Sequence, residues 1–345
     1  MLTQEESQNQ SALALALLRG KTTDALAAIS KLADINFTFV IPNVPNTTDF
    51  TPLHLAANRG MIEVVDALLA KGANVLAVTN GNDIFTPLGM MFAFQDRSPE
   101  MIAKHNVIMQ KLIARAPALC GIPDHDGEAP IHRAAENPLR IEQLKSMLNL
   151  LVADSPPPFD IDTQTTVFKY TALHHAIKGK NIEGARLLLK KGANPNAVYD
   201  TVDDDLSNLQ QTALHQAARK NDYRAVCLLM EFGADPLIKN AAGKRPIELT
   251  TSPDIEEYLV SNSFTVLERS CMDAIATSPE LVAQMNNPEI FLPTVAQKYA
   301  PMMKYLLNKK AKGWVDAPKT DTKHATGTLI LDAILCRGLN HLQIL

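Results

Sequence analysis

A four-residue signature returns six times along this chain of 345 residues. It appears as Thr51-Pro52-Leu53-His54, Thr86-Pro87-Leu88-Gly89, Ala129-Pro130-Ile131-His132, Thr171-Ala172-Leu173-His174, Thr212-Ala213-Leu214-His215 and Arg245-Pro246-Ile247-Glu248. The starts lie 35, 43, 42, 41 and 33 residues apart. Self-similarity at such a period marks an array of stacked supersecondary units. The longer intervals imply insertions.

Each unit has a physical logic. Thr is a good helix N-cap, and Pro at the first helical position loses nothing by lacking an N–H. Leu or Ile then enters the core. Small pairs follow, Ala56-Ala57, Ala134-Ala135 and Ala217-Ala218, which let helices approach closely. Gly60 can end the first helix in a left-handed conformation. A second apolar helix comes next, as in Val64, Val65, Leu68 and Leu69, or Ala185, Leu187, Leu188 and Leu189. It stops at Lys71-Gly72-Ala73-Asn74, Lys191-Gly192-Ala193-Asn194 or Phe232-Gly233-Ala234-Asp235. Neither helix can hide its apolar face alone, so the units must stack.

On these residues the chain resembles the ankyrin-repeat family. Thr51-Pro52-Leu53-His54-Leu55-Ala56-Ala57 is close to the family pattern, and the Gly-Ala-Asn/Asp stop recurs after the second helices. The clear resemblance covers about residues 45 to 260. It implies an all-α solenoid of stacked helix-turn-helix units with extended turn fingers.

The expected organisation is a polar lead-in at 1–10, a repeat array at 11–260 and an irregular helical region at 261–345. Within the array, 11–45 is a degenerate first repeat and 46–260 holds the clear ones. Tyr305 to Ala311 and Ile334 to Gly338 look like repeat fragments. The chain stops at Leu342-Gln343-Ile344-Leu345, where a second helix should be running, so a longer parent protein is expected.

Composition narrows the classes. With 46% hydrophobic and 20% charged residues, most of the chain should be ordered. Aromatics are only 5%, which favours thin helical layers over one large core. A net charge of −4 provides no global basic field for nucleic acid or anionic lipid. The four cysteines, Cys120, Cys227, Cys271 and Cys336, are far apart, which argues against a disulfide scaffold or zinc ribbon and for reduced thiols in the cytoplasm. Ala12 to Leu18 is too short to be a membrane span.

Three units are overlong. In the third, Ser98 and Pro99 should start a lengthened second helix. The fourth ends in Ser155-Pro156-Pro157-Pro158 and a Thr-rich run. The fifth has a connector, 198–209, with Asp200, Asp203, Asp204 and Asp205. Each is either a solvated loop or a partner-specific finger.

No P-loop, dinucleotide fingerprint, zincin or nucleophile-elbow motif is present, so no catalytic residue, metal or cofactor is assigned. For His54, His132, His174 and His215 the resemblance implies a structural hydrogen bond to neighbouring backbone. Cys120, Asp124, His125 and Asp126 form the best remaining cluster for a metal or nucleophile, but Asp124-His125-Asp126-Gly127 aligns with the ankyrin turn before a first helix, so a structural turn is expected.

Stacked repeats should leave a concave face of turn tips and first helices free to bind. Candidate partner contacts are the residues just before each signature: Phe50, Phe85, Glu128, Tyr170, Gln211 and Lys244. Three of these six are aromatic in an aromatic-poor chain, and aromatics anchor interfaces; alternatively, the rings pack against the neighbouring turn. Truncating Phe50 and Phe85 should then abolish binding and spare stability. A second set lies late in the first helices: Asn58, Arg59, Phe94, Glu136, Lys178, Arg219 and Lys220. His175 should face the groove.

The functional expectation is a cytoplasmic, monomeric, non-enzymatic scaffold or adaptor that grips a mixed-charge protein segment, with neither nucleic acid nor membrane as partner. The alternative is a substrate-recruiting part of an enzyme, effector or toxin with catalysis at or beyond the C-terminus. Insertion-rich arrays of this kind resemble those that intracellular bacteria deliver into the host cytosol.

Overall fold

Pairs of short helices follow one another among the described residues, because the first five signatures each start a seven-residue helix that a turn soon ends. The computed structural model describes residues 3–40, 47–81, 84–93, 98–151, 156–200 and 209–263. The chain divides into two compact units, Met1–Ala213 and Leu214–Leu345. The expected region 261–345, with Cys271 and Cys336, lies almost wholly outside the described residues, as do Phe94, Ser155 and Asp203 to Asp205.

Among the described residues, the first unit has five hairpins: α1 (Gln4–Leu18) with α2 (Thr22–Lys31), α3 (Pro52–Asn58) with α4 (Ile62–Ala70), α5 (Pro87–Ala93) with α6 (Pro99–Ile113), α7 (Pro130–Glu136) with α8 (Ile141–Leu148), and α9 (Ala172–Lys178) with α10 (Ile182–Lys190). First helices pack in succession, α1 on α3, α3 on α5, α5 on α7 and α7 on α9. Second helices do the same, α2 on α4 through to α8 on α10. This register lets each layer bury the apolar flank of the next. Leu53, Val64, Leu68, Leu88, Leu112, Ile131, Leu144, Leu173 and Leu188 are all buried.

Among the described residues, one small antiparallel ladder joins two successive fingers, β1 (Thr47–Thr48) with β2 (Asn80–Gly81), and another closes a single finger on itself, β3 (Val198–Tyr199) with β4 (Gln211–Thr212). The second unit holds most of α11 (Ala213–Arg219), then α12 (Tyr223–Glu231), a 3-10 turn at Pro246–Glu248 and α13 (Pro253–Ser263), which packs on α12.

The signature histidines tie layer to layer. Nδ1 of His54 accepts the Thr51 N–H at 3.2 Å, which leaves the proton on Nε2 to donate to the Phe85 carbonyl at 3.0 Å. His132 repeats this with the Ala129 N–H and the Thr163 carbonyl, and His174 with the Thr171 N–H and the Ala197 carbonyl. His215 donates to the Lys244 carbonyl at 3.2 Å in the second unit. Because the first bond uses a backbone N–H, Ala129 can stand where other repeats have Thr. Burial pushes His54, His132 and His215 down to about 4 and His174 to about 3, so all four are neutral near pH 7.

A second tie recurs at the roots of the fingers. Lys71 Nζ donates to the Ile29 and Leu32 carbonyls at 2.7 Å, Arg115 to the Leu69 carbonyl at 2.9 Å, and Lys191 to the Leu151 carbonyl at 3.3 Å. Each cation meets carbonyls near the end of the preceding second helix, where the helix dipole favours positive charge.

The start of the chain differs from expectation. Residues 4–10 are not a lead-in but the first turns of α1, because Thr3 and Glu6 form a capping box. The lengthened second helix of the third hairpin is present, with the Ser98 hydroxyl accepting the Met101 N–H.

Candidate functional site

Two backbones come unusually close where α7 meets α9. A Cβ placed on Gly179 would lie 1.9 Å from the Glu136 carbonyl oxygen, so only glycine fits there. This approach brings the ends of the two first helices together and with them their side chains. His175 Nδ1 lies 3.3 Å from Glu136 Oε2, and Lys178 Nζ lies 3.2 Å from Glu136 Oε1.

The cluster extends into the fingers. His175 Nε2 is buried without a hydrogen bond, and the nearest carboxylate oxygen, Glu128 Oε1, is 4.0 Å away. Arg133 holds Glu128 at 3.2 Å and Asp124 at 2.6 Å. Tyr170 meets the His175 ring edge-on at 5.5 Å between centroids and also packs on Tyr199 at 4.6 Å. The hydrogen bond from His175, aided by Lys178 and opposed by partial burial, holds the Glu136 carboxyl down at about 2. Glu136 is therefore ionised at any ordinary pH, and its charge is shared between an imidazole and an ammonium.

Five expected partner residues thus meet in one place: Glu128, Glu136, Tyr170, His175 and Lys178. His175 is a correction in one respect. It does not face an open groove, since only 1% of it is exposed; α9 turns it inward toward α7. It organises the cluster rather than presenting a surface.

Phe50 and Phe85 are also corrected. They are 1% and 6% exposed and form an apolar nucleus with Met90, flanked by Phe39 and Ala93. The reason is local pairing: Phe50 and Phe39 exchange backbone hydrogen bonds at 3.0 and 3.1 Å, and the Phe85 N–H donates to Thr79 Oγ1. Those bonds fold each ring under its finger. Gln211 is the third correction. It is fully buried in β4 and accepts a 2.9 Å hydrogen bond from the Tyr199 hydroxyl.

The remaining candidates are spread out. Arg59 is exposed and Asn58 half-buried at the end of α3; Arg219, Lys220 and Lys244 are exposed in the second unit. Asp124, His125 and Asp126 place ligand-type atoms within 4.8 Å of one another, yet Asp124 already takes Arg133 and the N–H groups of Asp126 and Glu128. That bonding is the turn expected from the sequence. Cys120 is buried, which pushes its thiol up to about 12 and leaves it unreactive. Among the described residues, no helix is long and apolar enough to cross a membrane.

Sequence reasoning missed Arg133 and Asp124 as part of the cluster. Their signal was the pairing of an acidic turn with a base on the following first helix.

Comparison with known proteins agrees with this architecture. The family described as ankyrin repeats (3 copies) matches residues 100–199 and 140–240, and the single ankyrin repeat matches residues 48–80. Rabankyrin-5 of Homo sapiens is 30% identical over 150 residues, covering 43% of this chain and 11% of that protein. The nuclear factor NF-kappa-B p105 subunit of Gallus gallus is 31% identical over 164 residues, covering 47% of this chain and 14% of that protein. The chain therefore spans only a small fraction of these curated relatives. Among solved structures, the ankyrin repeat domain of Bcl-3 aligns with a TM-score of 0.53 at 23% identity, covering 72% of this chain and 97% of that one. The human ASB11 ankyrin repeat domain aligns at 0.51 and 24% identity, covering 73% and 98%. At these identities the structures speak for the fold alone.

Proposed function

Because this chain belongs to the ankyrin-repeat family, we propose that it is an interaction scaffold or adaptor that grips a protein segment on the side built from fingers and first helices. The observation that carries this reading is the cluster at α7 and α9. Stacking needs the small and apolar residues of those helices, such as Ala134, Ala135, Leu173 and Ala176, all buried. It does not need the half-exposed pair Glu136 and Lys178, whose side chains are 38% and 44% exposed. Charged groups held in place by a buried histidine on an otherwise structural helix suit recognition of a partner.

Arg59, just after α3, adds an exposed base in the first unit; Arg219, Lys220 and Lys244 are exposed in the second. A cytoplasmic setting, suggested by the dispersed cysteines, and a partner that is neither nucleic acid nor membrane, suggested by the charge balance, belong to this proposal, as does a monomeric state.

A photo-crosslinking residue tests it when placed at Arg59 or Lys178 and, as controls, at Glu63 of α4 or Glu183 of α10. All four positions are exposed. In cell extract the first two sites should yield a crosslinked protein and the controls should not. Crosslinks from the controls alone would overturn the reading.

A further inference from the structure

The geometry points to a partner of definite chemistry: a segment carrying lysine or arginine next to large apolar side chains, docked on the tips of the fingers that lead into α7, α9 and α11. This deepens the proposed function and rests on it. These three fingers lie side by side within the first unit. The Thr166 N–H donates to the Asp126 carbonyl at 3.1 Å, Gln164 Nε2 to the Val198 carbonyl at 3.0 Å, and the Asp200 N–H to the Phe168 carbonyl at 3.0 Å.

Their charge is one-sided. Asp126, Asp160 and Asp200 are exposed, and Asp162 and Glu128 are partly so. Arg115 and Lys191, at the finger roots, are already bonded to carbonyls of the preceding repeat. Beyond those roots, Lys169 is the sole lysine or arginine among the described residues of these fingers. Since the whole chain is nearly balanced, with 33 bases and 37 acids, this local excess is a property of the fingers. Several of these carboxylates also hold turns: Asp160 accepts the Asp162 N–H, and Asp162 the Asn194 N–H. Such bonds leave the charge in place.

Two further observations point to an occupant. Large apolar side chains are exposed beside the acids: Val167 at 45%, Phe168 at 38% and Val198 at 43%. Of the eleven large apolar residues exposed among the described residues, seven lie on fingers, which is where a partner would cover them. The second is His175, whose buried Nε2 makes no hydrogen bond and faces Glu128 across 4.0 Å. An incoming N–H donor that shifts Glu128 slightly meets both the carboxylate and this free nitrogen. Lysine and arginine supply that donor, and neighbouring apolar residues cover Phe168 and Val167.

The test is fluorescence anisotropy with the whole chain and three short labelled peptides, alternating lysine with leucine, lysine with serine, and glutamate with leucine. The lysine–leucine peptide should bind, the lysine–serine peptide more weakly, and the glutamate–leucine peptide not at all. Asp126→Asn with Asp200→Asn should weaken binding several-fold, and Phe168→Ser about tenfold. Val167→Ser, further from the Tyr170 ring, serves if Phe168→Ser melts early. The control pair Glu63→Gln with Glu183→Gln should bind as the parent does. Equal loss in the control pair, or equal binding of the two lysine peptides, reduces the effect to general charge attraction and overturns the proposal. A dimer of the chain alone that Phe168→Ser dissolves assigns the patch to a second copy and also overturns it. Should no peptide bind while the Lys178 crosslinker still captures a protein, the partner chemistry fails and the proposed function stands. Crosslinks from Glu63 and Glu183 alone would remove both.

Discussion

His175 and Glu136 share a hydrogen bond 3.3 Å long that joins two consecutive repeats, with the imidazole buried and the carboxylate half in solvent. Glu136 keeps its charge because His175 and Lys178 both favour the ionised form. The bond also fixes the ring, so that Nδ1 is engaged and Nε2 faces Glu128.

Breaking this bond should have a measurable cost. Glu136→Ala leaves a buried imidazole nitrogen without its partner, which costs about 1–3 kcal/mol. The expected outcome is a lower urea midpoint at unchanged slope, whereas Lys178→Ala alone, at an exposed pair, should shift the midpoint little. Equal shifts would mean that the histidine contact has no special weight.

Phe50→Ala should lower stability by roughly 3–5 kcal/mol, because it empties the nucleus shared with Phe85 and Met90. Of the two readings the sequence left open for Phe50, an interface anchor or a ring packed against the neighbouring turn, its burial favours the second. The check is chemical unfolding of the single variant: a midpoint matching the parent would return Phe50 to the surface.

The difference shows what could be read and what could not. Thr51 to Ala57 announces a helix start, a core stripe and close packing within seven residues, so the hairpins and their order were legible. Ser98-Pro99 announced a long helix in the same way. The Thr3-x-x-Glu6 capping box was also present in the sequence, but the polar run after it disguised a helix as a lead-in. Whether Phe50 turns in or out depends on its pairing with Phe39, eleven positions earlier in an irregular finger, and no periodicity reports that. Gln211 was hidden for the same reason, since its partner Tyr199 lies across an insertion. In the candidate site, Glu128, Glu136, Tyr170 and Lys178 were found by their repeat positions. The inward turn of His175 was not, because it follows from the approach of α7 and α9 in three dimensions.

That approach should tolerate no side chain at Gly179. Gly179→Ala places a methyl group against the Glu136 carbonyl, so α9 must move away from α7. The variant should melt earlier than the parent and lose the contact between His175 and Glu136, seen as a changed His175 ring signal in NMR spectra. An unaltered ring signal in a stable variant would contradict the close packing described.

Acid should unfold the chain early. Burial lowers three of the four signature histidines, His54, His132 and His215, from an ordinary value near 6.5 to about 4, and the fourth, His174, to about 3. As pH falls below about 6.5, the unfolded chain takes up protons that the folded chain refuses. Stability is therefore full above that pH and declines toward pH 4, each histidine contributing a slope of up to about 1.4 kcal/mol per pH unit. Glu136, held down at about 2, adds a further loss only below its ordinary carboxylate range near 4.5. Urea midpoints taken across this interval should fall steadily, and a flat profile would show that the histidines are not buried neutral ties.

Amide hydrogen exchange of the chain, free and bound to the protein captured at Lys178, tests the proposed binding face most directly. New protection is expected at the finger tips around Asp126, Asp162 to Tyr170 and Val198 to Asp200, and at α7 and α9. Protection confined to the second helices α8 and α10, with the fingers unchanged, would contradict the account.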